Sequence, residues 1–90
     1  MMAVGSEDAV ATMTVRPVDL HPGDRLWLAG EWVEVTSAPY PALWCGAHRL
    51  RVRVTGSAQG AVFASWPMSS AARFESCLIA DRPEHGRRVA

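Results

Sequence analysis

The sequence predicts an all-β domain of five to six short strands, and three observations carry that expectation. Apolar and polar residues alternate with a period of two through "HRLRVRV" (His48–Val54) and through both halves of "RLWLAGEWVEVT" (Arg25–Thr36). Turn-forming clusters recur at short intervals: Pro22-Gly23-Asp24, Ala29-Gly30 and "GSAQG" from Gly56 to Gly60. No segment shows the helical spacing of apolar residues. Short strands joined by small turns over about 65 residues point to a small barrel or to two packed sheets.

Each element follows from its residues. "TMTVR" (Thr12–Arg16) alternates and is rich in β-branched side chains, which favours a first strand. "PVDLHPGD" then turns the chain. Strands Arg25–Leu28 and Glu31–Thr36 form a hairpin about Ala29-Gly30. "SAPYPALWCGA" (Ser37–Ala47), with two prolines and a glycine, reads as a long loop. "HRLRVRV" is the cleanest strand. "AVFASW" (Ala61–Trp66) is another, closed by Pro67, and "MSSA" (Met68–Ala71) allows one helical turn. "RFESCLI" (Arg73–Ile79) finishes as the last strand. Residues 12–80 thus form the barrel. Residues 1–11 are small and partly acidic, residues 81–90 carry Pro83, Gly86 and mixed charge, and both are expected to be flexible tails.

Ninety residues make one domain with a modest core. A formal net charge of zero gives no global field toward nucleic acid or membrane. All nine basic residues are arginine, a composition expected of a GC-rich genome. Two cysteines, Cys45 and Cys77, fit a reducing cytoplasm better than a disulfide framework. The first residues lack the basic start of a signal peptide, and no apolar run approaches a membrane span.

A two-residue turn at Ala29-Gly30 sets the hairpin register: Leu28 faces Glu31, Trp27 faces Trp32, Leu26 faces Val33 and Arg25 faces Glu34. Leu26, Leu28, Val33 and Val35 then point to the core. Trp27 and Trp32 pair on the outer face, with Arg25 and Glu34 beside them as a cross-strand ion pair. Either the long loop, with Tyr40, Leu43 and Trp44, folds over the tryptophans, or they form a contact surface, since Trp and Arg are enriched at binding hot spots. The expected partner-binding residues are Trp27, Trp32, Trp44, Arg25 and Tyr40, contacting another protein or a second copy of the chain.

"HRLRVRV" puts Leu50, Val52 and Val54 on one face and Arg49, Arg51 and Arg53 on the other. Such a stripe either pairs with acidic residues of neighbouring strands or holds nucleic-acid phosphates, with aromatic neighbours helping to stack bases. Nucleic-acid binding through these three arginines is the alternative expectation. "CGAH" (Cys45–His48) is half a zinc site, but the other half, Cys77 and His85, is poorly spaced. Cys45 and His48 lack the third residue that would orient a thiol nucleophile. The sequence therefore implies no enzyme, no cofactor and no metal.

"VRPVDLHPGDRLWLAGEWVEVTSA" (Val15–Ala38) resembles the opening of small SH3-like barrels, in which a strand leads to "DL-x-PGD" and then to a hairpin "GEW-x-x-V". It is similar there to the amino-terminal domain of translation elongation factor P and to small actinobacterial and actinophage proteins. The resemblance implies a five- to six-stranded SH3-like barrel. It does not carry over that factor's functional lysine, because this chain contains no lysine. Self-splicing Hint domains share the "DL-x-PGD" phrase but need a terminal asparagine, and no asparagine is present.

Overall fold

A computed structural model describes residues 11–82. The fold is a mostly antiparallel sheet of seven strands with one short helix. Strands β1 (Thr12–Val15), β2 (Arg25–Leu28), β3 (Glu31–Val35), β4 (Tyr40–Trp44), β5 (Ala47–Thr55), β6 (Phe63–Pro67) and β7 (Cys77–Ala80) are joined by a 3-10 turn (Pro17–Asp19) and by α1 (Met68–Ala71). The strand order is β1-β7-β2-β3-β5-β4, with β6 also paired to β5.

The sheet is not closed into a barrel, which corrects that part of the expected architecture. β6 pairs with β5 and ends at Pro67, which has no amide hydrogen to donate. The chain turns at once into α1 instead of joining a further strand. The last strand is also shorter than "RFESCLI" suggests. The amides of Arg73, Phe74 and Glu75 all donate to the Ser70 carbonyl, so these residues finish the helical turn and β7 starts only at Cys77.

The first hairpin has the expected register, Arg25↔Glu34 through Leu28↔Glu31. Its turn has positive φ at both central residues, Ala29 (51°) and Gly30 (86°). That is the primed geometry whose twist matches the strands. The expected loop 37–47 proves to be strand for half its length. Tyr40–Trp44 pairs with β5 about a second turn of the same kind, Cys45 (φ 51°) and Gly46 (φ 81°). Pro41 is tolerated because β4 lies at an edge of the sheet.

β5 is the spine. Its residues 49–51 pair with β4 on one edge and with β6 on the other. Beyond β4, its Val54 and Thr55 pair with Val35 and Glu34 of β3. Between these two partners the hydroxyl of Ser37 accepts from the Arg53 amide at 2.9 Å, and the Thr36 amide donates to the Arg53 carbonyl at 2.8 Å. Leu20, Leu26, Val33, Val35, Val52, Val54, Ala64, Cys77 and Ile79 form the core, with Met13, Val15, Leu28 and Trp66 packed against it.

Asp24 is buried to 6% exposure where the Pro22-Gly23-Asp24 turn enters β2. Its carboxylate accepts the His21 amide at 2.8 Å and two hydrogen bonds from the Arg82 guanidinium at 2.9 Å. Arg82 also donates to the Asp19 carbonyl, and the Asp81 amide donates to the Ala11 carbonyl. Asp81 and Arg82, assigned from sequence to the flexible tail, are thus anchored. The rest of the two expected tails, residues 1–10 and 83–90, lies outside the described residues.

Two predictions follow from this geometry. Alanine is strained at φ 51°, whereas asparagine tolerates the left-handed region. Ala29→Asn should therefore stabilise the fold by roughly 0.5–1 kcal/mol in urea denaturation, and a loss of stability would contradict the turn assignment. Arg82→Ala should cost about 3 kcal/mol at pH 7, because it strands a buried carboxylate. Burial raises the Asp24 pKa, but the Arg82 and His21 hydrogen bonds and the charge of Arg82 more than offset it and hold it below the ordinary 3.8. A depressed pKa gives stability that is present above the ordinary value and lost as pH falls through the folded one. The wild-type and Arg82→Ala stabilities should therefore converge as pH drops below 3.8.

Candidate functional site

Alternation along β5 sends Leu50, Val52 and Val54 inward, all buried, and Arg49, Arg51 and Arg53 outward. Residues directly opposite one another in a sheet share a face. Tyr40 and Ser65 therefore stand on either side of Arg51, Ala42 and Pro67 flank Arg49, and Phe63 stands beside Arg53. Trp44 joins the same face at the exposed tip of the β4–β5 hairpin.

Aromatic rings and one hydroxyl, not carboxylates, contact this stripe. The Arg51 guanidinium lies 4.1 Å from the Phe63 ring centroid and 5.8 Å from that of Trp44. The Arg53 guanidinium lies 6.0 Å from the Tyr40 ring. Arg49 donates from Nε to the Ser65 hydroxyl. Among the described residues none of the three forms an ion pair. Nε of Arg51 is buried without a hydrogen-bond partner. Trp44, Arg49, Arg51 and Phe63 line a shallow pocket of about 230 Å³. Arg49 also borders a neighbouring cleft of about 510 Å³ with His48, Pro67 and Met68.

The expected pairing with acidic neighbours fails for a reason written in the sequence. From Thr36 to Phe74 there is no aspartate or glutamate, while Arg49, Arg51, Arg53 and Arg73 all fall in that stretch. The other five arginines and all nine acidic residues lie outside it. The chain is neutral as a whole and divided within itself. Glu34 stands on β3 opposite Thr55 but forms no ion pair among the described residues, and three other acidic groups are engaged elsewhere. Asp24 holds Arg82, Asp19 holds Arg16 at 3.0 Å, and Glu31 accepts from the Ser57 hydroxyl and the Ala58 amide. Those two donors hold the Glu31 pKa below its ordinary value.

The tryptophan hairpin forms a separate feature. Trp27 and Trp32 meet edge to face, with centroids 5.2 Å apart. Arg25 does not pair with Glu34. Its guanidinium lies over Trp32, 5.7 Å from the ring centroid. The segment expected to cover these rings is β4, whose aromatics contact the β5 arginines, and Trp27 stays 44% exposed. Of the five expected partner-binding residues, Trp27, Trp32 and Arg25 come together, while Tyr40 and Trp44 belong to the arginine face. Phe63, 38% exposed, was not foreseen from sequence, and its register opposite Arg53 is what places it there.

Cys45 is exposed at the hairpin turn, and His48 lies opposite Leu43. Cys77 is buried in the core, and burial together with the charge of Glu75 pushes its thiol up to about 12. Among the described residues no three His, Cys, Asp or Glu side chains are grouped to hold a metal ion, and no helix is long and apolar enough to cross a membrane. His85 lies outside the described residues.

No family model matches the chain, and neither does any curated protein or solved structure.

The two thiols should separate cleanly in reactivity. A thiol reagent applied to the native protein at pH 8 should label Cys45 rapidly and leave Cys77 unmodified until the protein unfolds. Equal labelling, read by peptide mass spectrometry, would contradict the burial of Cys77.

Proposed function

We propose that the outer face of β4, β5 and β6 binds single-stranded nucleic acid without enzymatic chemistry. The observation that carries this reading is a row of three arginines that form no ion pair among the described residues and are interleaved with Trp44, Tyr40 and Phe63. A groove that follows a sugar-phosphate backbone needs unneutralised positive charge. Sequence-tolerant binding of unpaired bases needs aromatic faces. Both lie on one surface here, in the part of the chain that lacks carboxylates.

Neutrality of the whole chain does not oppose this. Salt screens charges over about 8 Å at physiological ionic strength, so a strand at this face responds mainly to the local guanidinium groups. An unclosed SH3-like arrangement, which Val15–Ala38 resembles in sequence, suits such a surface, with the cytoplasm as its setting.

A second reading keeps the tryptophan hairpin as a protein-contact or self-association surface. It is favoured by the exposure of Trp27 beside the half-exposed Leu78 and the stacked Arg25. The two surfaces are distinct, so one does not require the other.

Fluorescence anisotropy with a labelled oligothymidylate tests the first reading. Binding should weaken with salt along a log–log slope of about −0.7 per phosphate contacted, so about −2 for three contacts. Arg53→Ala should make that slope shallower by about 0.7. Absence of binding at low salt, or binding indifferent to salt, would overturn the reading. Capture of polyglutamate in its place would redirect the face to acidic protein segments.

A further inference from the structure

Arg51 is the one member of the stripe with an unmet bonding requirement. Its guanidinium sits between Phe63 of β6 and Trp44 of β4, closer to Phe63. In that position its Nε–H is buried and has no acceptor among the described residues. A buried unsatisfied donor costs free energy that a better-placed acceptor would return. Arg49, its neighbour, has spent its own Nε on Ser65 and is fixed in place. The pocket these residues line with Trp44 and Phe63, about 230 Å³, is smaller than the roughly 300–1,000 Å³ of sites for drug-sized molecules. It suits a single flat group.

We propose that the slot between Trp44 and Phe63 is a base-stacking subsite, and that Arg51 occupies it as a placeholder until a nucleotide arrives. The inference rests on the nucleic-acid reading of this face and gives that reading its central contact. An incoming unpaired base takes the place of the planar guanidinium against the rings. Arg51 swings out and offers its Nε and one terminal nitrogen, as a fork, to the adjoining phosphate. Phosphate oxygens then supply the acceptor that Nε lacks in the free protein. The exchange replaces one planar, stacking group by another, so the aromatic faces are not left bare at either end of it. The free protein and the complex are two arrangements of the same side chains, and the ligand selects the second by the contacts it makes only there.

The experiment compares two short strands on the full chain: oligothymidylate, and an abasic sugar-phosphate strand of equal length. Wild type should bind the base-bearing strand about tenfold more tightly, within what stacking of one base contributes. Phe63→Ala should erase most of that preference, read as the ratio of the two affinities in the variant. Phe63 is exposed, and circular dichroism checks that this variant is folded. Arg51→Lys should weaken both strands but keep the preference, because an ammonium does not make the fork although the slot remains open. The Arg51 Nε–H proton resonance should shift with oligothymidylate in wild type. Equal binding of the two strands by wild type would overturn the subsite while leaving the electrostatic reading of the face intact. Failure of both strands to bind at low salt would overturn the face and the subsite together. A preference that survives in Phe63→Ala would also overturn the slot.

Discussion

β5 couples the core to the candidate site through one constraint, the two-residue period of its side chains. Leu50, Val52 and Val54 are buried because Arg49, Arg51 and Arg53 are not, and the reverse is equally true. Slipping the strand by one residue would bury three guanidinium groups and expose three aliphatic side chains. The register is therefore set by the core and held from both edges, by β4 and β3 on one side and β6 on the other. The candidate face inherits its geometry from that pairing. Nothing about the arginine spacing has to be arranged separately.

The same constraint imposes an electrostatic cost. Alternate residues on a strand are roughly 6.6 Å apart. Two unit charges at about 7 Å repel by about 0.6 kcal/mol in water and by about 2.4 kcal/mol at an effective dielectric of 20. Exposed cation–π contacts return about 0.5–1 kcal/mol each. Arg51 and Arg53 make such contacts, and Arg49 has only a neutral hydroxyl. Carboxylates on β4 or β6 would remove the repulsion, yet those strands carry none. On the proposed reading, an anion arriving at this stripe relieves the repulsion. Asp24 instead stabilises the fold beneath Arg82.

The first hairpin was fully legible because its turn and its alternation agree: Ala29-Gly30 permits only a short connection, and one register satisfies both strands. β4 was not legible. "YPALW" has Pro41 at its second position and an apolar run in place of alternation, both of which argue against a strand. The signals that override them are the Cys45-Gly46 turn and an edge position that needs no amide from residue 41. The site was legible in halves. The arginine spacing was plain from the residues, but the ring partners of Arg51 come from β4 and β6, and only the pairing brings them together. The missing carboxylates between Glu34 and Glu75 were open to view in the sequence, and they decide between a salt-bridged surface and a free one.

The absence of lysine takes on a second meaning in this setting. The chain has nine arginines and no lysine, and Arg16 uses two nitrogens at once, Nε on the Asp19 carboxylate and a terminal nitrogen on the Ala72 carbonyl. At three positions the guanidinium lies against an aromatic ring. Arg25 lies over Trp32, Arg51 between Phe63 and Trp44, and Arg53 over Tyr40. A guanidinium stacks flat on a ring and keeps its in-plane donors directed outward, whereas an ammonium holds its hydration shell and cannot imitate a base. On the proposed reading, Arg51 is thus the planar cation that fills the aromatic slot and yields it to a base.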